Sequence, residues 1–324
     1  MGVGPVSGAE QSMAEALPFP GVIRIEPAGV CNLRCVHCPT GTVPMRRGIM
    51  SDETFSRLAA GLEPHLDEIR VAVLYHGGEP LLNDRLFEMV RYLKSVGIPF
   101  VKMVSNGMLM TESLAKATIE SGLDAIEFSL DGQSVDENNF LRRNGDAGIV
   151  LLNIKALLDV QKKSEAHALK VHIASTQFLQ DVTQFDCPPE VPDWLLDEFS
   201  GDYQNVVFKT AWAMEWPVMV VDPEIFDVVS NPSGAFCNQC GHVENELTVR
   251  WNGDVVACCY DLTSSFVLGN IYEAELGSIW NNSKYRTIRN AIRSREPIPL
   301  CASCNVVRPE VFLTLRPDVV AKFR

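Results

Sequence analysis

Basic residues are scarce in this 324-residue chain: 28 Lys and Arg face 41 Asp and Glu, a formal net charge of −13. A surface that acidic is repelled by phosphate backbones and anionic lipid, which argues against a nucleic-acid or membrane partner. Long apolar runs are missing as well, and none approaches the ~18 residues that a spanning helix needs. The first twenty residues lack the basic and apolar stretches of a secretory leader, so a cytoplasmic location is expected. Disorder is excluded by composition, since 46% of residues are apolar and only 21% are charged. The length has room for about two domains.

What the chain has in quantity is cysteine, ten in all. In a reducing compartment, clustered cysteines hold metal or do chemistry more often than they form disulfides. Their distribution is bimodal. Cys31, Cys35 and Cys38 form a tight triplet, Cys187 stands alone, and Cys237, Cys240, Cys258, Cys259, Cys301 and Cys304 spread over the last ninety residues. Two metal sites in two domains follow.

Between these cysteines runs a strand-then-helix rhythm. Val22–Ile25, Arg70–Tyr75, Phe100–Ser105, Ala125–Leu130, Lys170–Ser175 and Val206–Thr210 are β-branched or apolar, as strands require. Asn83 precedes an amphipathic run ending at Gly97, Thr111 precedes one ending at Gly122, and Ile149–Val160 has helical spacing. Six alternations predict parallel α/β architecture, and periodicity alone leaves an open sheet or a barrel. The connection Gln177–Gly201 is long and Pro-rich. After Met214 the rhythm stops. Glu246–Trp251 and Asp254–Cys258 then read as a hairpin about a tight Asn252-Gly253 turn, followed by a helix over 276–293. The expected organisation is a loose arm over 1–20, a core over 21–215 and a smaller domain over 216–324.

The triplet Cys31-Asn-Leu-Arg-Cys35-Val-His-Cys38 follows the first strand, in a loop that opens on the ligand-binding face of a β/α fold. Three thiolates can hold three corners of a [4Fe–4S] cube and leave the fourth iron open to substrate or cofactor. A zinc ion with His37 or a distant residue as fourth ligand is the plainer alternative. The His37 version is weakened because neighbouring residues seldom ligate one ion with good geometry.

This Cys-x3-Cys-x2-Cys triplet resembles that of the radical SAM superfamily, and its surroundings strengthen the likeness. Gly77-Gly78-Glu79-Pro80 resembles the family motif that receives the amino group of S-adenosylmethionine (SAM). Ser105-Asn106-Gly107 and Ser129-Leu-Asp131-Gly132 stand at the next two strand ends. The resemblance implies a partial (β/α)6 TIM-like barrel with SAM chelated to the open iron. Asn106, Ser129 and Asp131 would line SAM, Ser129 and Arg142 would meet its carboxylate, with Arg143 a competing choice, and His37 would stand near adenine. Gly77 and Gly78 would let backbone approach the ligand, and Glu79 would add negative charge near the ammonium.

The C-terminal cysteines resemble the family's SPASM/twitch extension: Cys240, Gly253, Cys258, then Cys301-Ala-Ser-Cys304, with Leu268-Gly-Asn-Ile271 between. The likeness implies one auxiliary [4Fe–4S] cluster on Cys240, Cys258, Cys301 and Cys304. Four thiolates saturate it, which suits electron transfer or structure rather than SAM binding. Cys237 could replace Cys240, Cys259 should point away from Cys258 in a regular strand, and a structural zinc is the alternative.

The reaction implied is reductive cleavage of SAM to a 5′-deoxyadenosyl radical that takes hydrogen from a substrate, with a flavodoxin or ferredoxin as reductant. Oxidation of a hydroxyl-bearing small molecule, such as a sugar or aminocyclitol, would give the auxiliary cluster a task as electron acceptor. Epimerisation would need a hydrogen donor, for which Cys187, Cys237 and Cys259 are the candidates. Peptide modification is a third outcome, and a non-catalytic electron carrier is the reading from another class. Trp212, Trp216 and Tyr203 are candidate pocket walls.

Overall fold

The computed structural model describes residues 16–164, 169–179, 187–230, 236–307 and 311–323. Most of the expected arm (1–15) and part of the Pro-rich connection (180–186) lie outside these. The strands are β1 (Val22–Ile25), β2 (Val71–Leu74), β3 (Phe100–Ser105), β4 (Ala125–Ser129), β5 (Lys170–Gln177) and β6 (Val206–Trp212). They continue with β7 (Phe226–Ser230), β8 (Glu246–Val249), β9 (Asp254–Val256), β10 (Val267–Asn270) and β11 (Val311–Leu315).

Strands β1 to β6 pair in parallel in chain order, each linked to the next through helix. This is the partial TIM-like barrel. Burial alternates along the strands as a two-residue period requires. Ile23, Ile25, Val101, Met103, Ile126, Phe128, Val171 and Ile173 are buried in the main core. The opposite face carries Arg24, Lys102, Glu127, Ser129 and His172, all only half-buried. Lys209 on β6 reaches across this face to Glu127 at 2.6 Å.

Short-range signals set the helix starts. Ser51, Thr111, Ser134 and Asp146 each accept the backbone N–H three residues ahead, at Thr54, Leu114, Glu137 and Ile149. Asn83 does not cap the helix Leu86–Ser95, whose N-cap is Arg85. Its amide instead donates to the carbonyls of Pro27 (2.9 Å) and Met50 (3.2 Å), tying the loop after β2 to the loop after β1.

The C-terminal half differs from expectation in three details. The chain between β8 and β9 is a four-residue turn, Arg250 to Gly253, closed by a Gly253 N–H to Arg250 carbonyl bond of 2.9 Å, with Gly253 at φ 83°. The expected helix over 276–293 is two helices, Leu276–Trp280 and Ser283–Arg293, because Asn282 turns its side chain onto the Tyr285 N–H and caps the second. Strands β7 and β11, which hydrophobic pattern did not announce, pair antiparallel into a two-stranded sheet. The hairpin itself joins the barrel sheet. β8 pairs in parallel with the free edge of β1, giving the order β10-β9-β8-β1-β2-β3-β4-β5-β6. Among the described residues no helix is long and apolar enough to cross a membrane.

Candidate active site and cysteine pockets

A cavity of about 440 Å³ opens at the C-terminal ends of the strands. Cys31, Cys35 and Cys38 line it, together with His37, Gly77, Gly78, Glu79, Asn106, Ser129, Asp131 and Arg142. Every residue expected near SAM therefore meets in one space, although they come from five separate loops and strand ends.

Local chemistry holds the triplet loop. Its backbone pairs with the far side of the cavity through Arg34 N–H to Arg143 carbonyl and Val36 N–H to Leu141 carbonyl, both 2.9 Å. Gly41 is essential to its path, since a Cβ there would lie 2.2 Å from the Cys35 carbonyl oxygen. The Thr40 hydroxyl donates to the Gly77 carbonyl and so joins the triplet loop to the Gly-Gly turn. Gly78 is pressed between two carbonyls: an added Cβ would stand 2.2 Å from Ala28 O and 2.4 Å from Val30 O. Gly78 is thus a close approach between the loops after β1 and β2, whereas a Cβ on Gly77 would meet the Glu26 carboxylate at 2.9 Å.

Glu79 behaves differently from the simple expectation of a free charge. Its carboxylate accepts from Ser105 Oγ (2.8 Å), Asn106 N–H (2.7 Å) and Leu81 N–H (3.1 Å). Burial raises its pKa even though these bonds favour the charged form. Asp131 is also buried. It accepts from Arg142 at 2.6 Å, His37 Nε2 at 3.2 Å and the Thr176 N–H at 2.9 Å. Burial alone would raise its pKa, but Arg142 and His37 outweigh that and hold it well below the carboxylate range. Arg142 lines the cavity whereas Arg143 is exposed. His37 is turned to Asp131, and its ring stands edge-on to Phe178, with centroids 5.7 Å apart.

A second pocket gathers Cys240, Cys258, Cys301 and Cys304, all buried, among Pro217, Val243, Leu300, Val306 and Val307. Backbone N–H groups point at three of these sulfurs: His242 and Val243 at Cys240, Tyr260 at Cys258, and Val306 and Val307 at Cys304. Burial pushes the free Cys301 thiol up to about 12 and Cys258 well above its usual value. An apolar shell with N–H donors aimed at sulfur suits thiolates that carry metal. Thiolates on one zinc stand about 3.8 Å apart, given Zn–S of ~2.3 Å. Among the described residues, neither cysteine set contains three ligand atoms within 4.8 Å of one another. The wider spacing fits clusters, in which each sulfur holds a different iron.

The remaining thiols lie elsewhere. Cys237 is exposed, with its N–H on the Val307 carbonyl. Cys259 is not among the residues lining the four-cysteine pocket; its sulfur lies against the ring of His242, 3.4 Å from Nδ1 and 3.9 Å from Nε2, and strand alternation does not set its direction because β9 ends at Val256. Cys187 is exposed beside a cleft that adjoins the main cavity at Trp212, whose indole donates to the Cys187 carbonyl. None of the three is among the residues that line the cavity.

Trp212 and Trp216 do line it, but Tyr203 does not. Tyr203 precedes β6, at the strand's opposite end, and its hydroxyl bonds Asp159. Pattern reading missed three contributors. Tyr260 lines both the cavity and the four-cysteine pocket, with its ring 4.9 Å from Trp216. Glu26, fully buried, accepts from His76 (3.3 Å), Gly77 N–H (3.0 Å), Arg250 Nε (2.9 Å) and Trp251 N–H (3.2 Å). Trp251 packs against Gly29 and Gly48, where an added Cβ would come within 2.6 Å and 2.4 Å of the indole. The C-terminal hairpin thereby holds the loop that leads into Cys31.

Comparison with known proteins agrees with this geometry. The radical SAM superfamily model matches residues 25–171, and the SPASM iron–sulfur cluster-binding domain model matches 240–305. The tungsten-containing aldehyde ferredoxin oxidoreductase cofactor-modifying protein of Pyrococcus furiosus is 23% identical over 314 residues, 85% of each chain. Mycofactocin maturase MftC of Mycobacterium tuberculosis is 22% identical, across 93% of this chain and 79% of its own. Two solved structures share the fold. BtrN in complex with AdoMet and 2-DOIA superposes with a TM-score of 0.59 at 18% identity, over 89% of this chain and 94% of its own. Streptococcus suis SuiB bound to precursor peptide SuiA gives 0.62 at 17% identity, over 86% and 68%.

Proposed function

Since the chain belongs to the radical SAM superfamily and carries a SPASM-type cluster domain, we propose that it oxidises a hydroxyl-bearing small molecule. The observation that carries this reading is Tyr260, a wall common to the SAM cavity and the four-cysteine pocket. A substrate radical in the cavity would have an electron acceptor on the far side of Tyr260.

The cofactors are a SAM-binding [4Fe–4S] cluster and auxiliary iron–sulfur; the first, when bound and reduced, supplies the electron that cleaves SAM to methionine and a hydrogen-abstracting 5′-deoxyadenosyl radical. Cys31, Cys35 and Cys38 would hold that cluster, and Cys240, Cys258, Cys301 and Cys304 the auxiliary one. Arg142, steadied by Asp131, would direct its remaining donors to the SAM carboxylate, a match of planar fork to carboxylate. Glu79 spends its carboxylate on Ser105, Leu81 and Asn106 and so acts by fixing the loop. Gly77 and Gly78 would offer backbone to the SAM ammonium. Ser129 would meet the SAM carboxylate beside Arg142, Glu127 would meet a polar group of the substrate, and Trp212 and Trp216 would exclude water. The barrel would span 21–215 and the cluster domain 216–324, with a small reductant such as a flavodoxin or ferredoxin as partner.

Solved structures of the same fold hold a small molecule (BtrN with 2-DOIA) or a peptide (SuiB with SuiA), so the preference for a small substrate rests on the electron-acceptor argument and not on the fold. A cysteine-dependent epimerase is less supported, because Cys187, Cys237 and Cys259 stay off the cavity lining. The test is anaerobic reconstitution with SAM and reductant. 5′-Deoxyadenosine should form in the intact chain and not in Cys31→Ala. With candidate alcohols in deuterated water, a carbonyl product without solvent deuterium supports oxidation. Deuterium at the reacting carbon would overturn it in favour of epimerisation.

A further inference from the structure

The strand face that lines the cavity continues below it, and there it carries charge. On β3 to β6 the cavity wall includes Val104, Glu127, Ala174 and Ala211. Two residues back along their strands, and so on the same face, stand Lys102 on β3, His172 on β5 and Lys209 on β6. A side chain at this depth reaches the cavity. Lys209 lies below Ala211, yet its ammonium bonds the carboxylate of Glu127, itself a cavity wall, at 2.6 Å.

Most charges here already have partners. Lys209 is paired with Glu127, and Arg24 with Glu246 at 2.6 Å. Lys170, at the outer end of β5, is exposed over the Phe100 ring. The other carboxylates of the cavity wall are also engaged, Glu79 by Ser105, Asn106 and Leu81, and Asp131 by Arg142 and His37. Lys102 differs. It is half-buried, and among the described residues no hydrogen bond or ion pair engages its ammonium. Burial pulls its pKa down. Glu127 and Glu246 oppose that and Lys209 and Arg24 add to it, so both ion pairs stand close by. The chain has 41 Asp and Glu and places none of them on Lys102. A cation held partly out of water without a counter-charge is costly, and an entering anion removes that cost.

We propose that Lys102 receives an anionic group of the substrate, a carboxylate or a phosphate, while Glu127 beside it takes a substrate hydroxyl. The substrate class narrows to hydroxy acids and phosphorylated polyols, and the same ammonium repels cationic amino sugars. This rests on the reading that the cavity oxidises a hydroxyl-bearing small molecule, but anion binding is measurable without turnover.

The experiment uses the full chain, reconstituted anaerobically and loaded with SAM. Calorimetry compares probes of one carbon skeleton and different charge: glycerate and glycerol 3-phosphate as anions, glycerol as the neutral form and serinol as the cation. Inorganic phosphate is the minimal probe. At least one of the two anions should bind about 10-fold or more tightly than glycerol and serinol, and the tighter one tells carboxylate from phosphate. Lys102→Gln should weaken that anion by about 10-fold or more, the loss of one charge-assisted bond. Glu127→Gln, which releases Lys209, should tighten inorganic phosphate several-fold, a gain that misfolding cannot produce. The proposal is overturned if neither anion binds, if Lys102→Gln leaves the affinity unchanged, if Glu127→Gln brings no gain, or if serinol binds as tightly as the anions. Absence of anion binding in a holoenzyme that still forms 5′-deoxyadenosine removes the anion site and leaves the radical chemistry standing. A bound anion whose product carries solvent deuterium removes oxidation and leaves the site.

Discussion

Arg142 illustrates how much of this site rests on single buried contacts. Its guanidinium bonds Asp131 at 2.6 Å, and that carboxylate is also held by His37 and the Thr176 N–H. Lysine would keep the charge but lose the fork. Arg142→Lys is therefore expected to weaken SAM binding by about 10-fold or more, the cost of one charge-assisted bond of ~1.5–3 kcal/mol, with secondary structure intact. Equilibrium dialysis against labelled SAM on the reconstituted protein measures this, and unchanged affinity would remove Arg142 from the SAM site. Glu26 makes a pH prediction. Burial would raise its pKa, but His76 and Arg250 bring it from 4.5 down to about 2. A carboxyl with a depressed folded value contributes stability that is fully present above about pH 4.5 and lost as pH falls towards 2. The contribution is on the order of 3 kcal/mol. Denaturant titrations between pH 6 and 3 should give a falling stability for the native chain and a flatter profile for Glu26→Gln.

At the scale of elements, the loops after β1 and β2 work as one unit, pressed together at glycines. Gly78→Ala would drive a Cβ to 2.2 Å from Ala28 O and 2.4 Å from Val30 O, backbone atoms that cannot turn aside. The expected result is loss of nearly all 5′-deoxyadenosine formation, with cluster iron at the triplet reduced. Full activity in that variant would mean that the turn has slack the structure denies. Several of these elements were legible in advance. The six parallel strands and the Thr111 cap follow from short-range rules of period and capping. The break at Asn282, the four-residue turn and the pairing of β7 with β11 did not. Each depends on a partner distant in sequence or on a side chain choosing between two equally local bonds.

For the whole molecule, the decisive feature is that the C-terminal hairpin continues the barrel sheet through β8 on β1, with Arg250 and Trp251 set behind the triplet loop. The auxiliary pocket is therefore joined to the frame that carries the SAM cavity. Removing both clusters with chelator should leave four buried thiols without metal and lower the melting temperature by several degrees or more, since metal-binding free energy is also folding free energy. Calorimetry of the loaded and stripped chains under anaerobic conditions measures the shift, and equal melting points would separate the clusters from stability.

By itself the sequence determined the chemistry available: which thiols are spaced to share a cluster, where a glycine pair must follow a strand, and that six strands alternate with helices. Such features are short-range, set by period, turn geometry and ligand spacing within a few residues. Only the tertiary structure decided which of two adjacent cysteines faces a pocket and that Glu79 braces a loop. It also decided that Tyr260 lines both pockets and that Glu26 gathers His76, Gly77, Arg250 and Trp251. Those outcomes depend on which distant segments share a wall, and that is set by packing of the whole chain.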